Sequence, residues 1–271
     1  MLAKILVVFY RLWHGKLHLK GSGVLVRFCA RILPGFDRYL LDVPNLGQIS
    51  VDLSDTSGTG WVNYCLNESG HEAGLILAIS KLAPQNPVIW DVGANAGILI
   101  ATLVHYLDEY REIRLFEPNP KLLPSLRSLG KLLPNVSIHD LAFSDKPGIL
   151  TLYVPKKDSS TASLSFRARS TPIRVECTTG DIFLREKGAT DPDVVIIDTE
   201  GNDCLVINGL SDLIRRKRPL FFFEHIFVSE ADILANLPDG YRNFTIDDVS
   251  GELLAGLNRD RGHNSVFVPS A

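Results

Sequence analysis

The 271-residue sequence is short of cysteine, with four in all. Cys29, Cys65, Cys177 and Cys204 stand far apart and none is in CxxC spacing. That argues against a zinc knuckle or a disulfide framework and favours reduced thiols in a cytoplasmic protein. Long apolar runs are missing too. Ile5-Leu6-Val7-Val8-Phe9-Tyr10 is bracketed by Lys4 and Arg11. A spanning helix needs about 20 apolar residues, and a secretory core about 7–15 before a small-residue cleavage site. There is no excess of positive charge: 28 Lys and Arg face 31 Asp and Glu, for a net charge of −3. A whole-protein electrostatic case for nucleic-acid binding is therefore absent. No low-complexity tract, heptad or long repeat is present, which excludes fibrous and solenoid architectures. At 45% hydrophobic residues, the chain can bury a substantial core.

The charge is unevenly spread. Up to Asn45 the cations are Lys4, Arg11, Lys16, Lys20, Arg27, Arg31 and Arg38, against Asp37 and Asp42. That balance of +5 leaves −8 for the remainder. A second apolar stretch, from Val24 to Leu33, is interrupted by Arg27 and Arg31. Basic residues on one side, with Phe9, Trp13, Phe28 and Leu33 on the other, suit a helix lying on an anionic membrane surface. The same pattern suits an arm packed on its own domain or on a second subunit of a homo-oligomer, since most amphipathic helices face a core. Residues 1–45 are read as a basic amphipathic arm and 46–271 as the main domain.

After the turn at Pro44-Asn45-Leu46-Gly47, residues 48–53 alternate polar and apolar side chains, as a half-buried strand does. Residues 55–60 read as a Gly/Ser/Thr loop. Ser69-Gly70-His71-Glu72 reads as a capping box, with a helix running to about residue 82 and stopped by Pro84 and Pro87. From Val88 strands and helices alternate. Strands fall at 88–90, 113–116, 136–138, 194–197 and 220–223. Helices fall at 96–106, 120–132 and 202–216, the second with Asn119 as N-cap and Pro120 at its first position. Residues 149–154 and 174–178 add strands around a polar Ser/Thr-rich loop at 156–171. A short helix starts at Asp181, another spans 230–237, and strands at 241–246 and 265–268 close the chain. Val194-Val195-Ile196-Ile197 is the most apolar strand and belongs at the centre. No linker divides this region, which is one doubly wound α/β domain with a mostly parallel sheet.

The strongest local pattern is Asp91-Val92-Gly93-Ala94-Asn95-Ala96-Gly97, which follows a strand and opens a helix. Gly93 and Gly97 let backbone come close to a ligand, and the helix N-terminus presents N–H groups. This is not GxGxxG, because Asn95 stands where the second glycine would be; a pyrophosphate cofactor is disfavoured. Glu117 ends the next strand, 20 residues after Gly97. A carboxylate there accepts both hydroxyls of a ribose. Asp140, beyond the third strand, is placed to take the exocyclic amine of an adenine. An acidic body with glycine-rich turns fits a cationic nucleoside without phosphates. S-adenosylmethionine, with its positive sulfonium, is that molecule.

Asp91-Val92-Gly93-Ala94-Asn95, Phe116-Glu117-Pro118, Ala142-Phe143-Ser144-Asp145, Ile197-Asp198-Thr199-Glu200-Gly201 and the segment from Pro219 to Glu224 together resemble the FkbM family of S-adenosylmethionine-dependent methyltransferases. The resemblance runs from about residue 47 to 269. It implies the Rossmann-like class I methyltransferase fold, with a seven-stranded, mostly parallel sheet and, here, an N-terminal helical and hairpin extension. It implies a cofactor site made of Asp91, Gly93, Ala94, Asn95, Gly97, Glu117, Asp140 and Ala142. Members of the family methylate hydroxyls on sugars, glycans, lipid-linked glycans and polyketides. The expected partner is therefore a carbohydrate, glycolipid or polyketide-like acceptor. Three positions depart from the family: Ile196 where Lys is usual, Gly180 where Leu is common, and Asp203 where Glu is usual. Ile196 removes a cation from the neighbourhood of the site.

Methyl transfer is an in-line displacement, so positioning supplies much of the rate, and an aliphatic hydroxyl needs a base as it attacks. The base belongs at the carboxyl ends of the central strands. Asp198, Glu200, Glu224 and His225 meet that condition. His225 is the first choice, for its ordinary pKa of about 6.5. Asp198 is the alternative base or acceptor-positioning group. Glu200 also reads as a carboxylate at a helix start. Asp198, Glu224 and His225 could instead hold a divalent cation for a metal-dependent O-methyltransferase. A non-catalytic module tethering a glycan-assembly partner is the other alternative. Residues 159–165 read as a loop or a substrate lid. His14, His18, His71, His105, His139 and His263 lack ligand spacing and receive no role. The expected location is cytoplasmic, with peripheral membrane contact through the arm.

Overall fold

The structure is a computed structural model. It describes residues 2–10, 12, 22–33, 36, 38–65, 72–156, 158–165, 168–226, 228–236 and 238–270. In chain order the elements are helices α1 (Leu2–Tyr10) and α2 (Ser22–Ile32), strands β1 (Tyr39–Val43) and β2 (Gly47–Val51), helices α3 (Thr56–Tyr64) and α4 (Ala73–Leu82), and strand β3 (Val88–Val92). Next come α5 (Ile98–Leu103), β4 (Glu112–Phe116), α6 (Leu123–Leu132), β5 (Val136–His139), β6 (Ala142–Phe143), β7 (Gly148–Pro155) and β8 (Ser170–Thr178). The rest are α7 (Gly180–Lys187), β9 (Val194–Ile197), α8 (Asp203–Asn208), α9 (Ser211–Lys217), β10 (Leu220–Glu224), α10 (Glu230–Ala235), β11 (Tyr241–Ile246), β12 (Leu253–Ala255) and β13 (Asn264–Pro269).

The main sheet has the order β12-β11-β13-β10-β9-β3-β4-β5. Strands β5, β4, β3, β9 and β10 are mutually parallel. Strand β13 runs antiparallel to both β10 and β11. This is the doubly wound, mostly parallel sheet expected from the sequence. A three-residue strand, β12, is added at one edge and makes it eight-stranded. Its apolar side chains alternate between two buried layers, as the period of two requires. Ile89, Val194, Ile196 and Phe222 face one layer; Trp90, Val195, Ile197, Phe221 and Phe223 face the other. The winding reverses at β3, which has β4 on one side and β9 on the other. Such a reversal opens a crevice at the carboxyl ends of the strands.

The arm shares the first of these layers: Val7, Tyr10, Val26, Ala30 and Phe36 are buried in the same cluster as Ile49, Trp61 and Ile89. Strands β1 and β2 pair as a hairpin whose turn holds Asn45, so the expected division at residue 45 falls inside that hairpin. A separate three-stranded sheet, β6-β8-β7, stands beside the main one.

Several local expectations are corrected. Residues 55–60 are not a loop: Asp55 accepts a hydrogen bond from the Ser57 amide and so caps α3. Asn119 does not cap α6. Its Oδ1 takes the Lys121 amide, and the regular helix starts at Leu123. The helix expected at 202–216 is broken into α8 and α9 around Gly209, where a Cβ would lie 2.2 Å from the Ser144 carbonyl oxygen. Of the expected capping box, Ser69, Gly70 and His71 lie outside the described residues, and Glu72 precedes α4 with no side-chain cap.

Candidate cofactor and acceptor site

The turn after β3 is the pivot of the site. The Gly93 and Ala94 amides both donate to the Phe116 carbonyl, at 2.9 and 3.0 Å. Gly93 has φ +93°, and a Cβ there would lie 1.8 Å from the Asp198 carbonyl oxygen. Only glycine lets the ends of β3 and β9 come this close. Asn95, also at positive φ, donates its amide to Glu117 Oε2 at 2.9 Å and accepts the Ala96 amide on its own Oδ1 at 2.8 Å. The Gly97 amide donates to the Ala94 carbonyl at 2.9 Å. Every N–H from Gly93 to Gly97 thus has a partner within the chain. The sequence expectation of free N–H groups at this helix start is corrected, and no phosphate cradle is formed here. Gly97 does not line the cleft either. A Cβ on it would lie 2.7 Å from Leu129 Cδ2, so it serves close packing of this turn on α6.

Glu117 is buried, and its Oε1 accepts the Asn119 amide at 2.8 Å. Burial raises its pKa to about 7, although the amides of Asn119 and Asn95 work in the opposite direction. Each carboxylate oxygen keeps a lone pair for a further donor. Around Glu117 lies a cleft of about 560 Å³ walled by Phe116, Leu122, Leu141, Ala142, Phe143 and Leu152, with Glu200 and Asn202 at its edge. Its roof is the segment at 159–165, fastened at four points. Asp55 Oδ1 accepts the Ser159 hydroxyl at 2.7 Å, and the Ser159 carbonyl accepts Asn119 Nδ2 at 2.9 Å. The Ser160 carbonyl accepts Asn95 Nδ2 at 3.2 Å, and Ser163 Oγ donates to the Glu200 carbonyl at 2.8 Å. Asp140 is not part of this cleft. It is exposed and paired with Arg127 at 3.2 Å, which corrects the expectation of an adenine contact.

The second half of the cleft, about 1370 Å³, shares Gly93, Asn95, Ser160 and Asp198 with the first. It opens between β9, β10 and the start of α3. Its lining includes Glu72, Asp91, Ala94, Glu224, Asp248 and His263, and no Lys or Arg among the described residues. Asp91 Oδ2 and Asp198 Oδ1 are buried without a hydrogen-bond partner among the described residues. Burial, then the charges of Glu72 and Glu117, lifts the Asp91 pKa to about 8. Burial, then Glu224 and Asp203, holds Asp198 well above the usual carboxylate range. Glu224 is raised to about 7 by burial and by Glu200, Asp203 and Glu72. Glu200 itself lies on a turn at φ +56° that Asp203 secures by accepting the amides of Thr199 and Gly201. It borders the first half and not the second, which corrects its candidacy as a group facing the acceptor.

His225 is the main correction. Its Nε2–H donates to the Gly262 carbonyl at 2.9 Å and its Nδ1 accepts the Ser265 hydroxyl at 2.8 Å. A carbonyl oxygen can only accept, which assigns the proton to Nε2. The ring is 1% exposed, burial lowers its pKa, and both nitrogens are occupied. It serves neither as base nor as the third ligand of an Asp198–Glu224–His225 metal site. No cluster of three potential metal ligands occurs among the described residues. The histidine that does face the cleft is His263. Its Nδ1 and its amide both bind Asp248, at 2.5 and 3.0 Å. The amide of His225 in turn donates to the His263 carbonyl at 2.9 Å. His225 therefore positions the segment that carries His263. The Asp248–His263 pair carried no signal in the sequence: the two residues flank a segment containing β12 and meet only through the pairing of β11 with β13.

Fold and site together define a class I methyltransferase: a sheet reversed at β3, a glycine turn against a buried acid, and a cleft at the strand ends without a phosphate cradle. The methyltransferase FkbM domain matches residues 91–244, more than half of the chain, and the protein belongs to that family. A curated relative, the hexuronic acid methyltransferase AglP of Haloferax volcanii, is 24% identical over 172 residues, covering 60% of this chain and 66% of that protein. The crystal structure of a methyltransferase FkbM from Methylobacillus flagellatus KT aligns with a TM-score of 0.50 at 15% identity, covering 78% of this chain and 54% of that one. This chain therefore spans just under two thirds of the curated relative and about half of the solved one.

Proposed function

We propose that this chain transfers the methyl group of S-adenosylmethionine to a hydroxyl of a sugar, glycan, glycolipid or polyketide-like acceptor. The observation that carries the reading is one cleft whose halves meet at Gly93 and Asp198. One half is apolar around a buried carboxylate, the other is acidic, and the turn between them keeps no N–H for a phosphate. The residues fit the cofactor. Glu117 has lone pairs for two ribose hydroxyls, Phe116, Leu141, Ala142 and Phe143 offer apolar surface to a purine, and the orphaned Asp91 Oδ2 calls for a cationic donor such as an ammonium. When bound, the cofactor supplies an activated methyl group on a positively charged sulfur.

The chain's own residues then do three things. The roof at 159–165, held by Asp55, keeps water from the adenosine half and fixes its depth. Asp91, Asp198 and Glu224 are carboxyls whose ionisation is resisted by burial and by neighbouring acids, and a cationic ligand would favour their charged forms. His263 lines this half with its Nδ1–H on the Asp248 carboxylate, which leaves Nε2 as the ring nitrogen to accept the hydroxyl proton. A base so placed contributes about 10²–10⁴ in rate. Glu224, at about 7, is the second proton acceptor at the same strand end.

The acidic lining also favours one acceptor charge. A uronate would meet the acids Glu224 and Asp248, and no Lys or Arg among the described residues lines this half, which favours a neutral or amino sugar. The activity named for the Haloferax volcanii relative supports the sugar class, and the acidic lining supports a neutral or amino sugar within it. The test is transfer of labelled methyl from S-adenosylmethionine to a panel of neutral, amino and uronic glycosides, free and lipid-linked. Label on a neutral or amino sugar hydroxyl is expected. Preference for the uronic set contradicts the acceptor assignment. Tight cofactor binding with no transfer to any member of the panel favours the tethering module instead.

A further inference from the structure

Helices α1 and α2 each carry apolar side chains on two faces, one in the core and one exposed. Val7 and Tyr10 of α1, and Val26 and Ala30 of α2, are in the core. On the other side Ile5, Val8 and Leu12 recur at helical spacing, as do Val24, Phe28 and Ile32, and all are exposed. Phe28 is 60% exposed and Ile32 65%. The helices pack on each other, which puts both exposed stripes on the same two-helix arm. Monomeric proteins rarely leave contiguous apolar surface of this kind uncovered.

The charge of the segment selects the occupant. No Asp or Glu occurs before Asp37, whereas Lys4, Arg11, Lys16, Lys20, Arg27 and Arg31 do. An apolar stripe in a run of cations without a single acid matches the interface of an anionic bilayer, which offers hydrocarbon depth and negative headgroups together. A second copy of this chain would bring the same cations against themselves. No helix among the described residues is long and apolar enough to cross a membrane.

We infer that the outer face of α1 and α2 docks this protein in plane on an anionic membrane surface. The helices are tied to the site. Tyr10 Oη donates to Asn63 Oδ1 at 2.5 Å and Arg27 Nη1 to Thr59 Oγ1 at 2.9 Å, both on α3, whose Thr56, Ser57 and Gly60 line the acceptor half. Docking therefore brings that half of the cleft within one helix layer of the bilayer. A lipid-carried acceptor is the consequence, and that consequence alone rests on the proposed methyl transfer.

The test is flotation of the full chain with phosphatidylcholine vesicles, with and without phosphatidylglycerol. The wild type is expected to float with the anionic vesicles only, and less so as salt rises. Val8→Ser with Phe28→Ser should lower partitioning about a hundredfold while cofactor titration and Tm stay unchanged. If that pair unfolds, Val24→Ser with Ile32→Ser is the replacement. Lys16→Glu with Lys20→Glu should weaken binding and reduce its salt dependence. Wild type that floats with neither vesicle, or binding that survives both apolar pairs, overturns the inference. A wild-type dimer in light scattering that the apolar pair converts to monomer, without flotation, assigns the face to a second copy and also overturns it. Failure of flotation with intact cofactor binding leaves the methyl-transfer reading standing, so the two fail separately.

Discussion

The two halves of the cleft meet at Gly93 but differ in how their polar groups are satisfied. Around Glu117, each carboxylate oxygen already holds a backbone amide, and the roof above it is fixed by Asp55, Asn95 and Asn119. Across Gly93, Asp91 and Asp198 keep buried oxygens without partners, and Glu224 is crowded by other acids. One half has its carboxylate satisfied by backbone amides; the other holds carboxyls whose ionisation is resisted by burial and by one another, the property on which the proposed binding of a cationic centre rests. On the proposed reading, the difference lets one fold hold a ligand by shape at one end and by charge at the other.

The largest expected effect is at the junction itself. Gly93→Ala should abolish cofactor binding and lower Tm, because its Cβ meets the Asp198 carbonyl on top of a positive-φ strain of about 1–3 kcal/mol. Gly188→Ala, at φ +58° with nothing within 4 Å, carries only the strain and should leave binding intact. Equal loss in the two variants, seen by thermal unfolding and titration, breaks the view of Gly93 as the joint of the halves.

Next comes Glu117→Ala, which should weaken S-adenosylmethionine about a hundredfold, the worth of about two hydrogen bonds to a buried carboxylate. Both the cofactor and its demethylated product should suffer alike, since both carry the ribose. Asp198→Asn should instead penalise the cationic cofactor more than the neutral product. Calorimetric titration of both ligands against both variants separates shape from charge.

The two histidines sharpen the acceptor side. His263→Ala should lower kcat by about 10²–10⁴ with Tm unchanged. His225→Ala should lower stability by about 1–3 kcal/mol, because the Gly262 carbonyl and the Ser265 hydroxyl lose buried partners. A His225 variant of normal stability, or a His263 variant of normal kcat, reverses the assignment.

How much of this was visible in the sequence follows the same divide. The glycine turn and Glu117 lie within one β-turn-α-β unit, where spacing along the chain is spacing in the fold, and the doubly wound sheet followed from strand–helix alternation. His263 and Asp248 are brought together by antiparallel register, with Ile246 opposite Asn264, and no local motif marks them. His225 had the right strand end but the wrong direction, which depends on the Gly262–Ser265 segment arriving from the end of the chain. Asp55 looked like part of a loop because Thr, Ser and Gly fill the first turn of α3. Only its reach to Ser159, 104 residues away, gives it a role. Glu200 and Asp140 illustrate the same limit, being correctly near the site along the chain but turned elsewhere by the turn at Gly201 and the pairing with Arg127.

The smallest and most direct test reads the ionisation of the cleft carboxyls. The carboxyls of Asp91, Glu117 and Glu224 have pKa values raised to about 8, 7 and 7, so each ionises less readily than a free carboxyl. Raised acid pKa values mean that stability is lost as pH climbs from about 4 to about 8, as the folded state is made to ionise groups that the unfolded chain ionises freely. A cationic ligand restores what ionisation costs and drives protons off. Titration of S-adenosylmethionine into the protein near pH 7, in buffers of different ionisation enthalpy, should show net proton release on binding. The neutral product S-adenosylhomocysteine should show less release, and the Tm gain from the cofactor should grow between pH 6 and pH 8. Binding without proton release, or with equal release for both ligands, would contradict an acidic half-cleft built for a positive centre.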